Sequence, residues 1–431
     1  MSTTDRRTFL KSGAAASLTT SLFTGQVRGA NDRVAAAFIG MGKMGRDNLR
    51  IAMRQDNLVP VAVCDVFQRN LDWAVKIGKD QAKPFHDFRE ILADKSIDVV
   101  CISTPDHWHA YMTVEACKAG KDVYVEKPIC VTVDEGTKMV QAARKYKRVV
   151  QAGTMQRSAL HFQHACDIVR SGRLGEIAFV RTWNYGNGKQ AGIGDPPDQE
   201  PPATLDWDMW LGPAPKRPFN PNRFGVDPED KYYSNFRWFW DYAGGMMTDW
   251  GVHWLDIVQM AFNEAMPTGI TSMGGKLWLK DNRETPDTLQ VTYEYPGFIA
   301  VYENRSSNSQ SMFEKGGGIL FHGTKATMFV DRTGFKIVPE FKSDVEPLEE
   351  KAESSGNLRH WSNFLDCVRT REKPISDIEI CQRSTTTCLL GNVALRSRLR
   401  LDWDPARWTT LQPEAHKFLK RDYRPPWKLT V

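Results

Sequence analysis

Short apolar runs without an alternating pattern recur through the first third of the chain, separated by stretches with helical periodicity. Unbroken apolar runs of this length are typical of parallel strands that are buried on both faces. Strands are predicted at Val34–Ile39, Val59–Cys64, Asp98–Ile102, Asp122–Val125 and Val149–Ala152, and helices from the glycines after the first strand to about Arg54 and over 87–94, 107–119 and 133–146. This alternation predicts right-handed crossovers and a doubly wound parallel sheet.

The pattern becomes strictly alternating in the second half of the chain. Every second residue of Thr288–Tyr295, from Leu289 onward, is apolar, and Pro296-Gly297 turns the chain into Phe298–Arg305. Such alternation predicts antiparallel strands with one buried face and one face open to solvent or a partner. The other elements predicted in this half are a helix over Ala159–Ser171 and strands at Ile177–Trp183, Ile319–His322 and Thr327–Val330.

A long segment, 184–240, is rich in Pro, Gly and Trp and carries no periodic pattern. Loops of this length are usually functional or disordered. Its tryptophans at 207, 210, 238 and 240 argue against disorder. We therefore expect an ordered insert within the second half.

A chain of 431 residues is long enough for two domains with sizeable cores. We predict an α/β fold: an N-terminal doubly wound parallel sheet, followed by an α+β domain with a large, mostly antiparallel open sheet. The predicted divisions are a signal over 1–29, the first domain over 33–153, the second over 154–405 including 184–240, and a C-terminal tail over 406–431 that packs back on the protein. No run approaches the ~20 apolar residues that span a membrane.

The first 29 residues have the pattern of an export signal. Arg6-Arg7-Thr8-Phe9-Leu10-Lys11 precedes a mildly apolar run and small residues near Gly29, and paired arginines in this position indicate the bacterial twin-arginine route. The alternative is an N-terminal helix that happens to carry two arginines. The prediction is a periplasmic protein that is exported already folded by the twin-arginine machinery.

Charge and cysteines exclude several classes of protein. The net charge is +5, but the basic residues are spread along the chain and interrupted by acids, so no nucleic-acid partner is expected. The eight cysteines show no C-x-x-C pair. We expect neither a disulfide framework nor a structural zinc site.

A glycine pattern, G-x-G-x-x-G, lies between the first strand and the helix after it. Gly40 would allow the tight turn, Gly42 the approach of a pyrophosphate, and Gly45 close helix–strand packing. Asp65 ends the next strand, where a carboxylate can accept hydrogen bonds from a ribose and repel a 2′-phosphate. NAD is therefore favoured over NADP, although nearby Arg69 weakens that preference. The predicted cofactor-binding residues are Gly40, Met41, Gly42, Lys43, Met44, Gly45, Asp65, Thr104, His107, Glu126 and Lys127.

Two further segments follow predicted strands, where open α/β sheets bind ligands. In Ser103–His109, the H-x-H pair could bind a metal, but no third ligand lies nearby in the sequence. We expect His107 to start a helix near the cofactor, His109 to pack or cap, and no metal to bind. In Glu126-Lys127-Pro128, the lysine is placed to contact a substrate hydroxyl at the mouth of the cleft.

These segments, with the G-G-x-x-x-D-x-G-x-H pattern from Gly244 to His253, resemble the family of glucose–fructose oxidoreductase, inositol dehydrogenase and the rhizopine-catabolism proteins (Gfo/Idh/MocA). The resemblance extends over essentially the whole chain after the signal, including Arg424–Trp427. It implies that Lys127, Asp249 and His253 surround the substrate hydroxyl and that the Lys127–Pro128 bond is cis. It also implies a homo-oligomer, a dimer or tetramer, formed through the open sheet face.

Helical spacing is consistent with that implication. On one helix, Asp249, His253 and Asp256 would form a polar stripe. His253 could then take the hydroxyl proton while a neighbouring carboxylate orients its ring, and Lys127 could stabilise the developing charge on oxygen. The alternative is a helix N-terminus with a favourable Asp and a packed His. Arg157 either faces the cleft or forms a surface ion pair.

Aromatic side chains near a polar cleft suit the apolar faces of sugar rings. The candidates for sugar contacts are Trp183, Tyr185, Trp238 and Trp240. Their alternative role is to hold the long insert against the core.

Three functions remain open from the sequence. The first is an NAD(P)-dependent oxidoreductase that acts on a CH–OH group of a sugar, polyol or glycoside with a tightly bound cofactor. The second is a glycoside hydrolase, lyase or epimerase that uses transient oxidation, although the family's glycosidase branch carries a different His motif from the D-x-G-x-H pattern present here. The third is a non-catalytic, NAD-bound sensor.

Overall fold

The structure is a computed structural model that describes residues 33–79, 81–186, 192–225 and 234–431. The predicted export signal, 1–29, lies outside the described residues.

The N-terminal sheet is parallel throughout and has the strand order β3-β2-β1-β4-β5-β6. Its strands are β1 Val34–Ile39, β2 Leu58–Cys64, β3 Lys83–Phe85, β4 Val99–Ile102, β5 Asp122–Val125 and β6 Val150–Ala152. The five predicted strands are present with ends that differ by at most one residue, which confirms the doubly wound fold. Successive strands are added on one side of β1 up to β3 and on its other side from β4 onward. A crevice opens at this switch point, beyond the carboxyl ends of β1 and β4.

Helices cover both faces of this sheet. They are α1 Lys43–Ala52, α2 Gln68–Ile77, α3 Phe88–Ala93, α4 Asp106–Lys118 and α5 Val133–Lys145. The helix α2 and the short strand β3 were not predicted. Two of the three residues of β3 are exposed, so the strand has no apolar run to mark it.

The second sheet has ten strands in the order β14-β13-β12-β11-β7-β10-β9-β8-β15-β16. Only β7 and β10 pair in parallel, so the prediction of a mostly antiparallel sheet is confirmed. In the β9–β10 hairpin Tyr295 pairs with Phe298, and burial along β9 alternates as its sequence predicts. The strands are β7 Ile177–Tyr185, β8 Gly269–Gly275, β9 Thr288–Tyr295, β10 Phe298–Arg305, β11 Gly317–Gly323, β12 Ala326–Asp331, β13 Gly334–Pro339, β14 Leu348–Lys351, β15 Leu401–Asp404 and β16 Thr409–Thr410.

The second half contains seven α-helices within the described residues. They are α6 Leu160–Arg170, α7 Trp207–Leu211, α8 Pro221–Phe224, α9 Gly245–Asp249, α10 Gly251–Ala261, α11 Asn357–Thr370 and α12 Ile378–Ser397. Between the two sheets lies α12, which packs on β8 and α10 and also on α5 of the first domain.

One helix of the second half completes the core of the first. Trp361 of α11 stacks on Tyr124 of β5 with ring centroids 4.5 Å apart, and it also contacts Phe38 of β1. Phe364 packs beside them. The first domain's core therefore draws on residues far beyond the predicted boundary at 153.

The insert and the C-terminal tail are both held by aromatic contacts. In the insert, Trp207 stacks on Trp210 at 4.7 Å, and the cluster around them includes Phe67 from the first domain. In the tail, Trp427 packs edge-on against Trp108 of α4 at 4.9 Å. The described part of the insert is thus an ordered aromatic unit that closes over the crevice.

All eight cysteines are buried with free thiols. In the described ranges, no helix is long and apolar enough to cross a bilayer.

The contribution of α11 to the core can be measured with a matched pair of substitutions. Phe364→Ala removes a fully buried ring, whereas Phe341→Ala removes one that is 89% exposed. We expect Phe364→Ala to lower the free energy of unfolding by about 3–5 kcal/mol, because transfer and cavity costs add, and Phe341→Ala to change it by less than about 0.5 kcal/mol. Chemical denaturation monitored by circular dichroism gives both values. Equal effects of the two substitutions would contradict this role of α11.

Candidate active site

The three glycines of the G-x-G-x-x-G loop have different surroundings. A Cβ on Gly40 would lie 2.6 Å from the backbone nitrogen of Thr104, and one on Gly45 would lie 1.9 Å from the carbonyl oxygen of Gly40. Gly40 also has a φ of +85°, so neither position accepts a side chain. A Cβ on Gly42 would meet no protein atom within 4 Å, and Gly42 lines the crevice. Of the three, Gly42 is the one whose lack of a side chain no protein contact requires.

The helix that follows the loop presents an open N-terminus. No side chain caps α1, which begins at Lys43, so its first N–H groups and its positive dipole end remain available to an anion. Lys43 and Met44 line the crevice, whereas Met41 is buried. Met41 instead fixes the loop through its backbone.

Asp65 holds the glycine loop in place. Its carboxylate accepts hydrogen bonds from the backbone nitrogens of Met41 at 2.7 Å and Phe67 at 2.9 Å, and from Nδ2 of Asn70 at 3.2 Å. Burial raises the pKa of Asp65 despite these bonds. Asp65 also lines the crevice, so its contact with a ribose stays a prediction. The guanidinium of nearby Arg69 lies over the rings of Phe67 and Trp73.

The segment after β4 contributes different residues from those predicted. Thr104 lines the crevice, and its Oγ1 is buried with no hydrogen-bond partner among the described residues. His107 does not line it: the ring is buried against Trp210, with Nε2 3.0 Å from the Trp210 carbonyl oxygen. This corrects the prediction that His107 binds the cofactor. His109 lies in the wall between the carbonyls of Thr104 and Pro128, as expected of a packing residue, and burial lowers its pKa to about 4.

Asp106 is a crevice residue that the sequence interpretation missed. Its carboxyl is buried in the wall at the start of α4. Burial raises its pKa to about 7, with the Asp249 charge adding to the rise and the charges of Arg237 and Lys127 opposing it. The sequence does place Asp106 in a predicted ligand-binding segment, because it lies between Pro105 and His107 within Ser103–His109.

The E-K-P segment after β5 meets α9 across the crevice. Nζ of Lys127 lies 2.8 Å from Oδ1 of Asp249 and donates a second hydrogen bond to the Asp249 carbonyl oxygen. Glu126 is buried behind it and accepts a hydrogen bond from Nδ2 of Asn48 at 2.8 Å. The Lys127–Pro128 bond is cis, as the resemblance implied.

A second cation contacts the same carboxylate. Nε of Arg237, from the 3₁₀ helix Asn235–Trp238 in the insert, lies 3.3 Å from Oδ1 of Asp249. Burial acts to raise the pKa of Asp249, but the charges of Lys127 and Arg237 outweigh it and hold that pKa well below its usual range. No pattern in the insert marked Arg237, because only the fold brings it to this side of the crevice.

His253 lies in the same wall and is held in its neutral form. Burial, followed by the charges of Arg332 and Lys127, lowers its pKa well below the usual value, although the charge of Asp249 opposes this shift. Its Nδ1 is buried without a hydrogen-bond partner among the described residues. The expected carboxylate that orients the ring is therefore not found: Asp249 acts on His253 through charge and makes no hydrogen bond to the ring.

The predicted polar stripe on one helix is also wrong. The helix breaks at Trp250, so that Asp249 ends α9 and His253 belongs to α10. Asp256 points into the protein and forms an ion pair with Arg157 at 2.8 Å. Arg157 also pairs with Glu264 and is almost fully buried, so it neither faces the crevice nor lies at the surface.

The four predicted sugar-contact residues divide into two pairs. Trp183 is buried and donates from Nε1 to the Lys315 carbonyl oxygen, and Trp240 donates from Nε1 to the Glu284 carbonyl oxygen. These two tryptophans fix neighbouring backbone segments through these bonds, and they line neither the crevice nor a second cavity beside it. Tyr185 and Trp238 line this second cavity.

The crevice fits a nicotinamide dinucleotide. The uncapped N-terminus of α1 can bind a pyrophosphate, and the space over Gly42 admits that group close to the backbone. The Oγ1 of Thr104 has no partner among the described residues and can form a hydrogen bond with a polar ligand. Lys127, Asp249 and His253 line the same crevice. A ligand bound there can therefore be in contact with both the loop and the acid–base residues.

Comparison with known proteins agrees with this geometry. Residues 34–154 match the Gfo/Idh/MocA description "Oxidoreductase family, NAD-binding Rossmann fold", and 176–429 match its "C-terminal alpha/beta domain". Inositol 2-dehydrogenase from Salmonella typhimurium is 32% identical over 152 residues, which are 35% of this chain and 45% of that protein. A glycosyl hydrolase family 109 protein from Shewanella baltica is 30% identical over 158 residues, 34% of each chain.

The alignments with these two curated relatives span less than half of their length. The WlbA dehydrogenase from Bordetella pertussis, crystallised with NADH and UDP-GlcNAcA, superposes with a TM-score of 0.65 at 18% identity, covering 86% of this chain and 99% of that one. That likeness shows the fold. The family matches extend over well more than half of the chain, and the protein therefore belongs to the Gfo/Idh/MocA family of oxidoreductases, with an NAD-binding Rossmann domain at its N-terminal end.

Proposed function

We propose that the protein oxidises a CH–OH group of a sugar, polyol or glycoside and that it holds its NAD tightly. The observation that carries this proposal is the meeting of Lys127, from the NAD-binding domain, with Asp249 and His253 from the second domain. Acid–base groups from two domains converge beside the glycine loop, where a bound substrate carbon would face the cofactor. The similarity to inositol 2-dehydrogenase supports a polyol or sugar as substrate.

The bound cofactor would supply the hydride acceptor, and the protein would manage the proton. In this mechanism the ammonium of Lys127 donates a hydrogen bond to the substrate oxygen and stabilises negative charge that develops there. Asp249 positions that ammonium through their 2.8 Å contact. His253, which burial keeps neutral, accepts the hydroxyl proton as the carbonyl forms.

The predicted export would require tight retention of the cofactor. Free NAD is scarce outside the cytoplasm, so a protein exported through the predicted twin-arginine signal would have to carry its own. Such an enzyme must also return the cofactor to its starting state in place. It does so either with a second carbonyl substrate or, in the transient-oxidation alternative that the family 109 similarity keeps open, with its own oxidised intermediate.

The test of function uses the full chain as purified, with no added cofactor, and a panel of sugars, polyols and glycosides. Reduced nicotinamide is followed by its near-UV absorbance, and products by chromatography. Reduction that persists until a carbonyl acceptor is added supports the net oxidoreductase. Product formed without lasting reduction supports transient oxidation, and no change with any substrate contradicts both proposals.

The role of His253 can be separated from cofactor binding. We expect His253→Ala to slow hydride transfer by about 10²–10⁴-fold, because the hydroxyl proton loses its acceptor, while the bound NAD content stays unchanged. His164→Ala, at a surface position on α6, is the matched control and should keep wild-type rates. Single-turnover absorbance and the cofactor content of each purified variant give the result. A His253→Ala variant with the wild-type rate would remove this residue from the mechanism.

Asp106 predicts a pH-dependent stability. Because its pKa is raised to about 7 by burial, the folded state favours the protonated acid, and the stability that this form contributes is lost as the pH rises through 7. Asp106→Asn mimics the protonated form at every pH. We expect its Tm to exceed that of the wild type by more at pH 8 than at pH 5.

Asp195→Asn, at an exposed position, is the control for this comparison and should show the same Tm difference from the wild type at both pH values. Differential scanning calorimetry measures all three proteins. A difference for Asp106→Asn that does not grow from pH 5 to pH 8 would show that folding does not raise the pKa of Asp106.

A further inference from the structure

A second cavity adjoins the crevice at the carboxyl ends of β7 and β10. It has a volume of about 550 Å³ and is lined by Tyr185 and Arg305 from the ends of these strands, together with Trp238 from the insert. Trp250 and Arg332 line both the crevice and this cavity. The two spaces therefore share one wall, next to His253, whose ring centroid lies 5.6 Å from that of Trp250.

The second cavity is rich in aromatic rings. Tyr185, Trp238, Trp250 and Trp254 all line it. The rings of Trp250 and Trp254 lie 6.0 Å apart, and Trp254 is fixed by a hydrogen bond from Nε1 to Oδ1 of Asn184 at 2.9 Å. Aromatic faces of this kind pack against the C–H faces of pyranose rings. The volume lies within the range of small-molecule pockets, roughly 300–1,000 Å³, and accepts a sugar unit.

The charge of the cavity is predominantly positive. Its lining includes Arg283, Arg305, Lys315 and Arg332 against a single carboxylate, Asp331. Arg283 pairs with buried Asp281 at 2.9 Å, and Lys315 lies 3.8 Å from Asp331.

Arg305 is placed differently from these paired cations. Its guanidinium lies 3.6 Å from the ring centroid of Tyr185, and Nη2 donates to the Gln310 carbonyl oxygen at 2.8 Å. Its Nε is buried with no hydrogen-bond partner among the described residues. The nearby carboxylate of Glu303 accepts a hydrogen bond from the Tyr185 hydroxyl and pairs with Arg181. Arg305 nevertheless lines the cavity, and its guanidinium carries further N–H donors besides the one that bonds Gln310, so it favours an anionic ligand.

We infer that this second cavity binds a carboxylate-bearing sugar unit, linked to the sugar that is oxidised in the crevice. The inference rests on the proposed function and specifies its substrate as an acidic glycoside. The guanidinium of Arg305 would bind the carboxylate, and the tryptophans would contact the ring. Asp331 and Glu303 lie close by and would repel a dianion, so a carboxylate suits the cavity better than a phosphate does.

The test compares two ligands that differ in one group, methyl β-glucuronide and methyl β-glucoside. Each is titrated by calorimetry into the NAD-loaded full chain, into Arg305→Gln, and into Arg181→Gln. The last is the matched control, since Arg181 lies on the same sheet, pairs with Glu303 and does not line the cavity. We expect the wild type and Arg181→Gln to bind the glucuronide at least about tenfold more tightly, a difference of about 1.4 kcal/mol, and Arg305→Gln to lose this preference.

Two results would overturn the inference: equal affinities of the wild type for the two ligands, or a preference that survives Arg305→Gln. Cofactor content and thermal unfolding of each variant show that it is folded. If Arg305→Gln fails to fold, Trp238→Phe takes its place and should weaken the binding of both ligands by severalfold; unchanged affinities then contradict the inference.

The failure of the subsite is distinguishable from the failure of the proposed function. Binding does not require turnover, so Arg305-dependent glucuronide binding without oxidation of any sugar would contradict the proposed function alone. The enzyme could also oxidise two disaccharides that differ only in a carboxylate on the second sugar unit. Equal KM values for these two substrates would contradict the subsite alone.

Discussion

The ion pair between Lys127 and Asp249 is the contact on which the arrangement of the site depends. Lys127 lies two residues after the strand β5 of the NAD-binding domain, and Asp249 ends a helix of the second domain, so their 2.8 Å contact joins the two halves of the crevice. This ion pair is partly buried, so it must offset part of the cost of removing both charges from water. Arg237 contributes to this by contacting the same oxygen of Asp249, which makes the carboxylate the centre of a cluster of two cations and one anion.

The same cluster sets the protonation states that the proposed oxidation requires. Positive charge around Asp249 keeps it ionised, and positive charge from Arg332 and Lys127, together with burial, keeps His253 neutral. A neutral imidazole beside an ammonium group can take a proton from an oxygen whose developing charge the ammonium stabilises. The helix breaks at Trp250 between these two residues, so Asp249 ends α9 and His253 lies in the first turn of α10.

Local patterns predicted the parts of the fold that have a local cause. The strands of the first sheet and the β9–β10 hairpin follow from apolar runs and alternation, and the glycine loop from backbone space. The helix α12 was not predicted, because a helix is predicted from an apolar stripe on one face. This helix is buried on nearly every side, and its buried positions include the polar residues Thr385, Thr386 and Thr387. The sequence predicted His107 at the crevice, where the structure has Asp106. Adjacent positions on a helix point about 100° apart, and the side chain of His107 packs against Trp210 instead.

The insert links the chemistry of the crevice to the choice of substrate. Its 3₁₀ helix Asn235–Trp238 carries Arg237, which contacts Asp249, and directly after it Trp238, which lines the second cavity. Two neighbouring residues thus act on two different spaces, and the aromatic cluster of the insert, anchored on Phe67 of the first domain, fixes both. A shift of this short helix would move the cation beside Asp249 together with a wall of the second cavity. Variation in the insert would therefore change the second cavity only within the limits that the contact between Arg237 and Asp249 allows.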